Sequence, residues 1–198
     1  MVWACSGSTV VHAACVPTSH HRRSIRLRGY NYSAAGAYFV TLCVQDRRCL
    51  FGDVTDGVVG LSDAGHMVDD VWTEMPMFYR GVDIDGFVVM PNHIHGIITL
   101  VGAGPCACPE TGRPQGAAPT AISLPDVVQR FKTLTTRRYA DSVKRLGWPA
   151  FRGRLWQRGY YERIIRDEAE LNRIRQYVAE NPQYWAEDVE NPKNPWPP

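Results

Sequence analysis

Hydrophobic positions in this chain change period several times, and each change predicts an element. Tyr38 to Val44 (YFVTLCV) is a run of β-branched and aromatic residues, which predicts a strand. Val68, Val71, Trp72 and Met75 fall at i, i+3, i+4 and i+7, one face of a helix over 63–75. Ser62 or Asp63 can cap its start, and Pro76 is expected to stop it. Two apolar runs, 87–90 and 94–101, have only Pro91, Asn92 and His93 at their join, so an antiparallel hairpin is expected. Ser123–Leu124–Pro125 predicts a second helix, with Ser as cap and Pro in the first turn. It turns Val127, Val128, Phe131 and Leu134 inward and carries Arg130, Lys132, Arg137 and Arg138 on its other faces. Residues 155–165 are β-prone and predict another strand. Asp167 and Glu170 have capping-box spacing for a third helix, with Leu171, Ile174 and Val178 as its apolar stripe and Pro182 at its end.

The order strand, helix, strand, strand, helix, strand, helix implies an α+β fold, an antiparallel sheet with helices packed on it. One domain is expected over 21–186. Residues 1–20 read as a poorly ordered leader, 102–120 as a flexible loop rich in Gly, Pro and Ala, and 187–198 as a loose tail.

Composition narrows the class. The 198 residues are 44% hydrophobic, ample for one core. No apolar run approaches the roughly 18 residues of a membrane span, and the first 20 residues lack the pattern of a signal peptide. A cytoplasmic protein without a membrane partner is the expectation. The six cysteines are scattered and imply no disulfide framework, and Cys106 and Cys108 read as loop residues. The net charge of +2 hides an asymmetry. Residues 126–166 hold eleven Lys/Arg against three Asp/Glu, whereas 167–198 hold three against seven. A local basic block suits either solvated helix faces or a surface for a polyanion.

His93 and His95 lie two apart on a strand-like segment, so both imidazoles project from one face. Such a pair can converge on a cation. It equally suits two buried histidines bonded to backbone, and it names no metal. Tyr177 and Asn181 lie four apart on one face of the third helix. Asn181 offers a hard oxygen ligand. Tyr177 offers a phenol, which needs a nearby cation to become a useful nucleophile.

The string VVMPNHIHGIITL, together with FKTLTTRRY, LWQRGYYERIIRDEAEL and RIRQYVAENP, resembles the HUH single-tyrosine transposases, most closely the REP-associated tyrosine transposases. The resemblance runs from about 22 to 185. It implies the ferredoxin-like, RRM-like fold of HUH nucleases, with Tyr177 as nucleophile and with His93, His95 and Asn181 as ligands of Mg2+ or Mn2+. It implies nicking and rejoining of single-stranded DNA beside a hairpin through a 5′-phosphotyrosine, by a monomer or homodimer. Arg163 stands where relatives often carry histidine. Arg22, Arg23, Arg26, Lys132, Arg137, Arg138 and Arg158 are candidates for gripping phosphates. Trp156 and Tyr160 read as core rather than as base-stacking residues. The alternatives are a catalytically silent nucleic-acid-binding module of the same fold, and a metal hydrolase in which Tyr177 is structural.

Overall fold

A computed structural model describes Leu27 and residues 29–101 and 122–194. Four strands, β1 (Gly36–Cys43), β4 (Val82–Val89), β5 (His93–Leu100) and β6 (Tyr161–Ile165), form one antiparallel sheet in the order β4-β5-β1-β6. A separate hairpin pairs β2 (Gly52–Thr55) with β3 (Val58–Leu61). The described residues also form three α-helices, α1 (Asp63–Phe78), α2 (Leu124–Leu146) and α3 (Glu168–Glu180).

Alternation along the strands builds two unequal faces. Tyr38, Val40 and Leu42 of β1, with Ile94 and Ile98 of β5, join the large core closed by α1 and α2 through Val68, Trp72, Val127 and Phe131. On the other face Phe39, Ile97 and Ile165 pack under Val178 of α3 in a smaller cluster. Trp156 is 3% exposed and belongs to the large core, and Tyr160 packs partly buried against it.

The caps behave as the residue types dictate. Ser62 accepts from the Gly65 amide at the start of α1, and Ser123 with Asp126 makes a full capping box on α2. Asp167 caps α3, but Glu170 makes only half a box: its carboxylate goes to Arg163 and to the Arg166 amide instead.

Several elements differ from the expectations. Pro76 lies inside α1, which runs on to Phe78, because a proline near a helix C-terminus removes one bond and the helix ends two residues later. β4 starts at Val82, not 87; a bulge between Ile84 and Phe87 breaks its register. The segment 155–160 makes only a bridge, Trp156 to Val44, before β6 begins at Tyr161. The β2–β3 hairpin was not foreseen, although its Asp56–Gly57 turn has both residues at positive φ, 50° and 75°. The tail is not loose through Asn194: Arg47 binds the carbonyls of Val189, Glu190 and Asn191, and Asn194 bonds Ala186 and Asp188. The 1–20 leader, the 102–120 loop, Cys106, Cys108, Arg22, Arg23 and Arg26 lie outside the described residues. Among the described residues no helix is long and apolar enough to cross a membrane.

Candidate active site

Register puts the histidines on the α3 face. His93 pairs with Cys43 and His95 with Thr41, at the end of the sheet where β6 begins at Tyr161 opposite Thr41. Both imidazoles are buried, and their Nε2 atoms face each other at 3.0 Å.

Each ring is held from behind. Asn92 Nδ2 donates to the carbonyls of Arg47 (3.0 Å) and Glu190 (2.7 Å), which turns Asn92 Oδ1 toward His93 Nδ1 at 2.9 Å. An amide oxygen only accepts, so His93 Nδ1 carries the hydrogen and its Nε2 presents a lone pair. Thr41 Oγ1 lies 2.8 Å from His95 Nδ1 and positions that ring similarly. Burial holds both histidines in the neutral form, the state in which imidazole binds a metal: His95 is pushed down to about 3 and His93 well below its ordinary value.

Helix α3 brings the tyrosine. Arg175 anchors the helix to β4 through Asp85, at 2.6 Å from Nη2 to Oδ2, and Asp85 sits in the β4 bulge. Two residues on from this anchor, Tyr177 packs its ring edge-on against Phe39 and 5.3 Å from the His95 ring. Its hydroxyl is 3.5 Å from His95 Nε2, and the residue is 49% exposed. Burial and then the Asp188 carboxylate raise the phenol's pKa, while the Asn181 amide pulls it down. Asn181 is buried, and among the described residues its Oδ1 has no hydrogen-bond partner.

The tail adds a group that sequence reasoning missed. After the 3-10 turn Asn181–Glu187, Asp188 places Oδ2 at 3.6 Å from His93 Nε2. One ligand atom each from His93, His95 and Asp188 lie within 4.8 Å of one another. Trp185 covers His93 with ring centroids 6.0 Å apart. The acidic excess of 167–198 was the available signal for Asp188, and the adjacency of Asn92 to His93 the signal for Asn92. A cavity of about 440 Å³ opens beside Tyr177, His95 and Asp188. Arg163 also lines it, paired with Glu170 at 2.6 Å.

The basic candidates separate. Arg138 is held by Glu74 in two bonds of 3.0 and 2.6 Å. Lys132 donates to the carbonyls of Gln157 and Gly159 and lies over the Tyr160 ring. Arg137 and Arg158 line a second cavity, away from the histidines.

Comparison with known proteins agrees with this architecture. The family described as "Transposase IS200 like" matches residues 117–181, a stretch that contains Tyr177 and Asn181 and begins after the histidine pair. An uncharacterized protein of Haemophilus influenzae is 42% identical over 175 residues, 85% of this chain and 92% of its own length. Among solved structures, a REP-associated tyrosine transposase bound to a REP hairpin shares the fold, with a TM-score of 0.52 and 17% identity over 80% of this chain and 73% of that one. By these sequence matches, this chain belongs to the IS200-like transposase family.

Proposed function

We propose that this protein is a divalent-metal-dependent nuclease and strand-transferase. It acts in the cytoplasm on single-stranded DNA associated with a hairpin, through a 5′-phosphotyrosine on Tyr177. The observation that supports it most is the convergence of two neutral imidazoles, a carboxylate and a phenol at one end of the sheet.

The donor set fits a metal. With Nδ1–H fixed on His93, its Nε2 lone pair faces His95 Nε2 at 3.0 Å. That approach is favourable only with a proton or a cation between the two nitrogens. Asp188 supplies a hard oxygen, and Asn181 Oδ1 is a buried acceptor without a partner among the described residues. His93, His95, Asp188 and Asn181 would hold Mg2+ or Mn2+. Bound there, the ion would polarise the scissile phosphate and favour the phenolate of Tyr177.

The chain's own residues do the rest. Phe39 and the Arg175–Asp85 anchor hold the phenol beside the histidines, and half-exposure leaves its oxygen open to a substrate. Tyr177 Oη attacks phosphorus, an Oη–P bond forms and the P–O3′ bond breaks. The phenol gives up a proton as the departing 3′ oxygen gains one. One phosphate ester replaces another, so the reverse attack by a 3′ hydroxyl rejoins strands without an external energy source. Arg137 and Arg158, with Arg22, Arg23 and Arg26, are the candidate phosphate contacts, and the chain acts as a monomer or homodimer.

Labelled hairpin DNA incubated with Mg2+ or Mn2+ tests this. The expected result is a protein–DNA adduct that survives denaturation and is absent with Tyr177→Phe. Binding without an adduct under either metal would identify a silent binding module. Cleavage that persists in Tyr177→Phe would identify a hydrolase.

A further inference from the structure

The cavity of about 440 Å³ beside Tyr177 has walls that the attack on phosphorus does not use. Tyr161, the first residue of β6, stands on one of them. It pairs with Thr41, and Thr41 pairs with His95, so the three form one row across the sheet on its α3 side. Two strand spacings, about 10 Å, separate Tyr161 from His95 along that row. The Tyr161 ring meets Phe39 edge-on, with centroids 6.3 Å apart at 68°. Such a contact engages at most one ring face, and the residue is 47% exposed. Among the described residues its hydroxyl makes no hydrogen bond. A ring held on one side, with a face open to the cleft, is a platform for an unstacked base.

Arg173 stands on another wall. It precedes Tyr177 by four residues on α3 and shares its face. Arg163, the other arginine of the cavity, is bound to Glu170, and Arg175 on the same helix is held by Asp85 and Glu168. Arg173 is exposed and has no carboxylate partner among the described residues. Glu170, Asp188 and Glu190 line the same cavity, so a polyanion enters only where cations offset them. A metal ion would do so at the histidines, and Arg173 does so one helical turn from the nucleophile.

The direction of attack selects the nucleotide that meets these two groups. Attacking and departing oxygens lie roughly in line on opposite sides of phosphorus. The 3′ oxygen therefore departs away from Tyr177 with its nucleotide. The nucleotide joined through its 5′ oxygen stays on the tyrosine. Both groups adjoin that tyrosine: Arg173 is one turn away, and Tyr161 is close enough to add to the upward push on the Tyr177 phenol.

We infer that Tyr161 and Arg173 form a subsite for the nucleotide retained on Tyr177, the first one 3′ of the cut. Its base stacks on the Tyr161 ring, and the phosphate that follows it pairs with the Arg173 guanidinium. The inference rests on the proposed phosphotyrosine chemistry. It gives the retained end two holds besides the covalent bond, which keep it in place for the return attack.

The test is the rate of adduct formation by the full chain with Mg2+ or Mn2+ on subsaturating hairpin DNA whose cut position has been mapped. Substrates carry one abasic site, either just 3′ or just 5′ of the cut, or an uncharged methylphosphonate in place of the phosphate after the retained nucleotide. In the wild type the 3′ abasic site should slow the adduct by about tenfold or more. Tyr161→Ala should be as slow on intact DNA and indifferent to that abasic site, yet respond to the 5′ one as the wild type does. Tyr161→Phe should behave as the wild type. The methylphosphonate should cost the wild type about tenfold and Arg173→Ala nothing further. A wild type indifferent to the 3′ abasic site would overturn the inference without any variant. So would penalties that simply multiply in Tyr161→Ala or Arg173→Ala, since the side chain and the removed group would then act independently. A wild type that forms no adduct on any DNA would overturn the phosphotyrosine reading too, whereas an adduct with multiplying penalties would sink this inference alone.

Discussion

Under α1 and α2 the sheet buries Tyr38, Val40, Leu42, Ile94 and Ile98, whereas under α3 it buries Phe39, Ile97, Ile165 and Val178 and then gives way to His93, His95, Asn181 and Asp188. Both faces are drawn from the same two strands, β1 and β5, at alternate positions. A one-residue slip would exchange every side chain between them. The large apolar face therefore does more than stabilise: it fixes the register that puts both histidines on the α3 side. The small face can hold buried polar groups because the other holds the fold.

The sharpest contrast is Tyr177→Phe. It should abolish the covalent adduct and move the unfolding free energy by no more than about 1 kcal/mol, because the residue is half-exposed and its hydroxyl makes only a 3.5 Å contact to His95 and a hydrogen bond with the Asn181 amide. Urea unfolding beside the adduct assay checks this. A variant that kept the adduct, or that unfolded readily, would break the division between the faces.

Gly96→Val attacks the same contrast from the opposite side. Gly96 lies between His95 and Ile97, and a Cβ there would stand 2.4 Å from the Trp72 ring, which stacks on Phe87 at 4.4 Å. Overpacking of this kind costs about 1–3 kcal/mol. The expected outcome is a lower unfolding midpoint together with weaker metal binding, since the strand carrying both histidines must shift. A normal midpoint would mean that the large face does not set the strand.

The faces also differ in how far they could be read from sequence. The large one follows from periodicity, as Val68, Val71, Trp72 and Met75 show, and from caps such as Ser123 with Asp126. β4 reaches back past the apolar run 87–90 to Val82: Asp83 and Asp85 interrupt the hydrophobic pattern, and Asp85 leaves the ladder at a bulge to hold Arg175. The Asp56–Gly57 turn is a hairpin signal that the sequence carries openly. On the polar face the histidine pair was visible as a motif. Asp188 was not, because it arrives through a 3-10 turn and a tail fastened by Arg47, and neither follows a period.

Asn92 sharpens the polar half. Asn92→Ala removes the acceptor that fixes the His93 tautomer and the amide donor that binds the Arg47 carbonyl and, in the tail, the Glu190 carbonyl. Outer-shell partners of this kind are worth about 10–100-fold in metal affinity. Calorimetry with Mn2+ should show that loss, and raised Mn2+ should restore adduct formation. Unchanged affinity would show that the tail does not set the His93 ring.

Acid should separate the faces in the metal-free protein. His93 and His95 are depressed by burial, His95 to about 3, whereas in the unfolded chain they titrate near their ordinary value of about 6.5. Below about pH 6.5 the unfolded chain takes up protons that the folded one refuses, so stability falls as pH falls, by up to about 1.4 kcal/mol per unit for each histidine. Burial raises Asp188 and Glu190, which acts in the opposite sense and offsets part of the loss at lower pH. Chelated protein unfolded in urea from about pH 7 to about 5 should show this decline. His95→Gln should flatten it, and an unaltered slope would place the titration elsewhere.

The smallest effect is expected at Arg138, which lies on α2 like Arg137 but faces Glu74 of α1 instead of the second cavity. Both members of the pair are partly exposed, 40% and 34%, so solvent screens it and its loss should cost less than about 1 kcal/mol. Arg138→Ala should leave the salt dependence of hairpin binding as in the wild type, where Arg137→Ala shifts it by about one unit. Equal shifts would mean that the Glu74 pair opens when DNA binds and that basic residues on both sides of α2 contribute. Unequal shifts would tie DNA affinity to the guanidiniums that have no carboxylate among the described residues, so that one helix serves the core on one side and the substrate on the other.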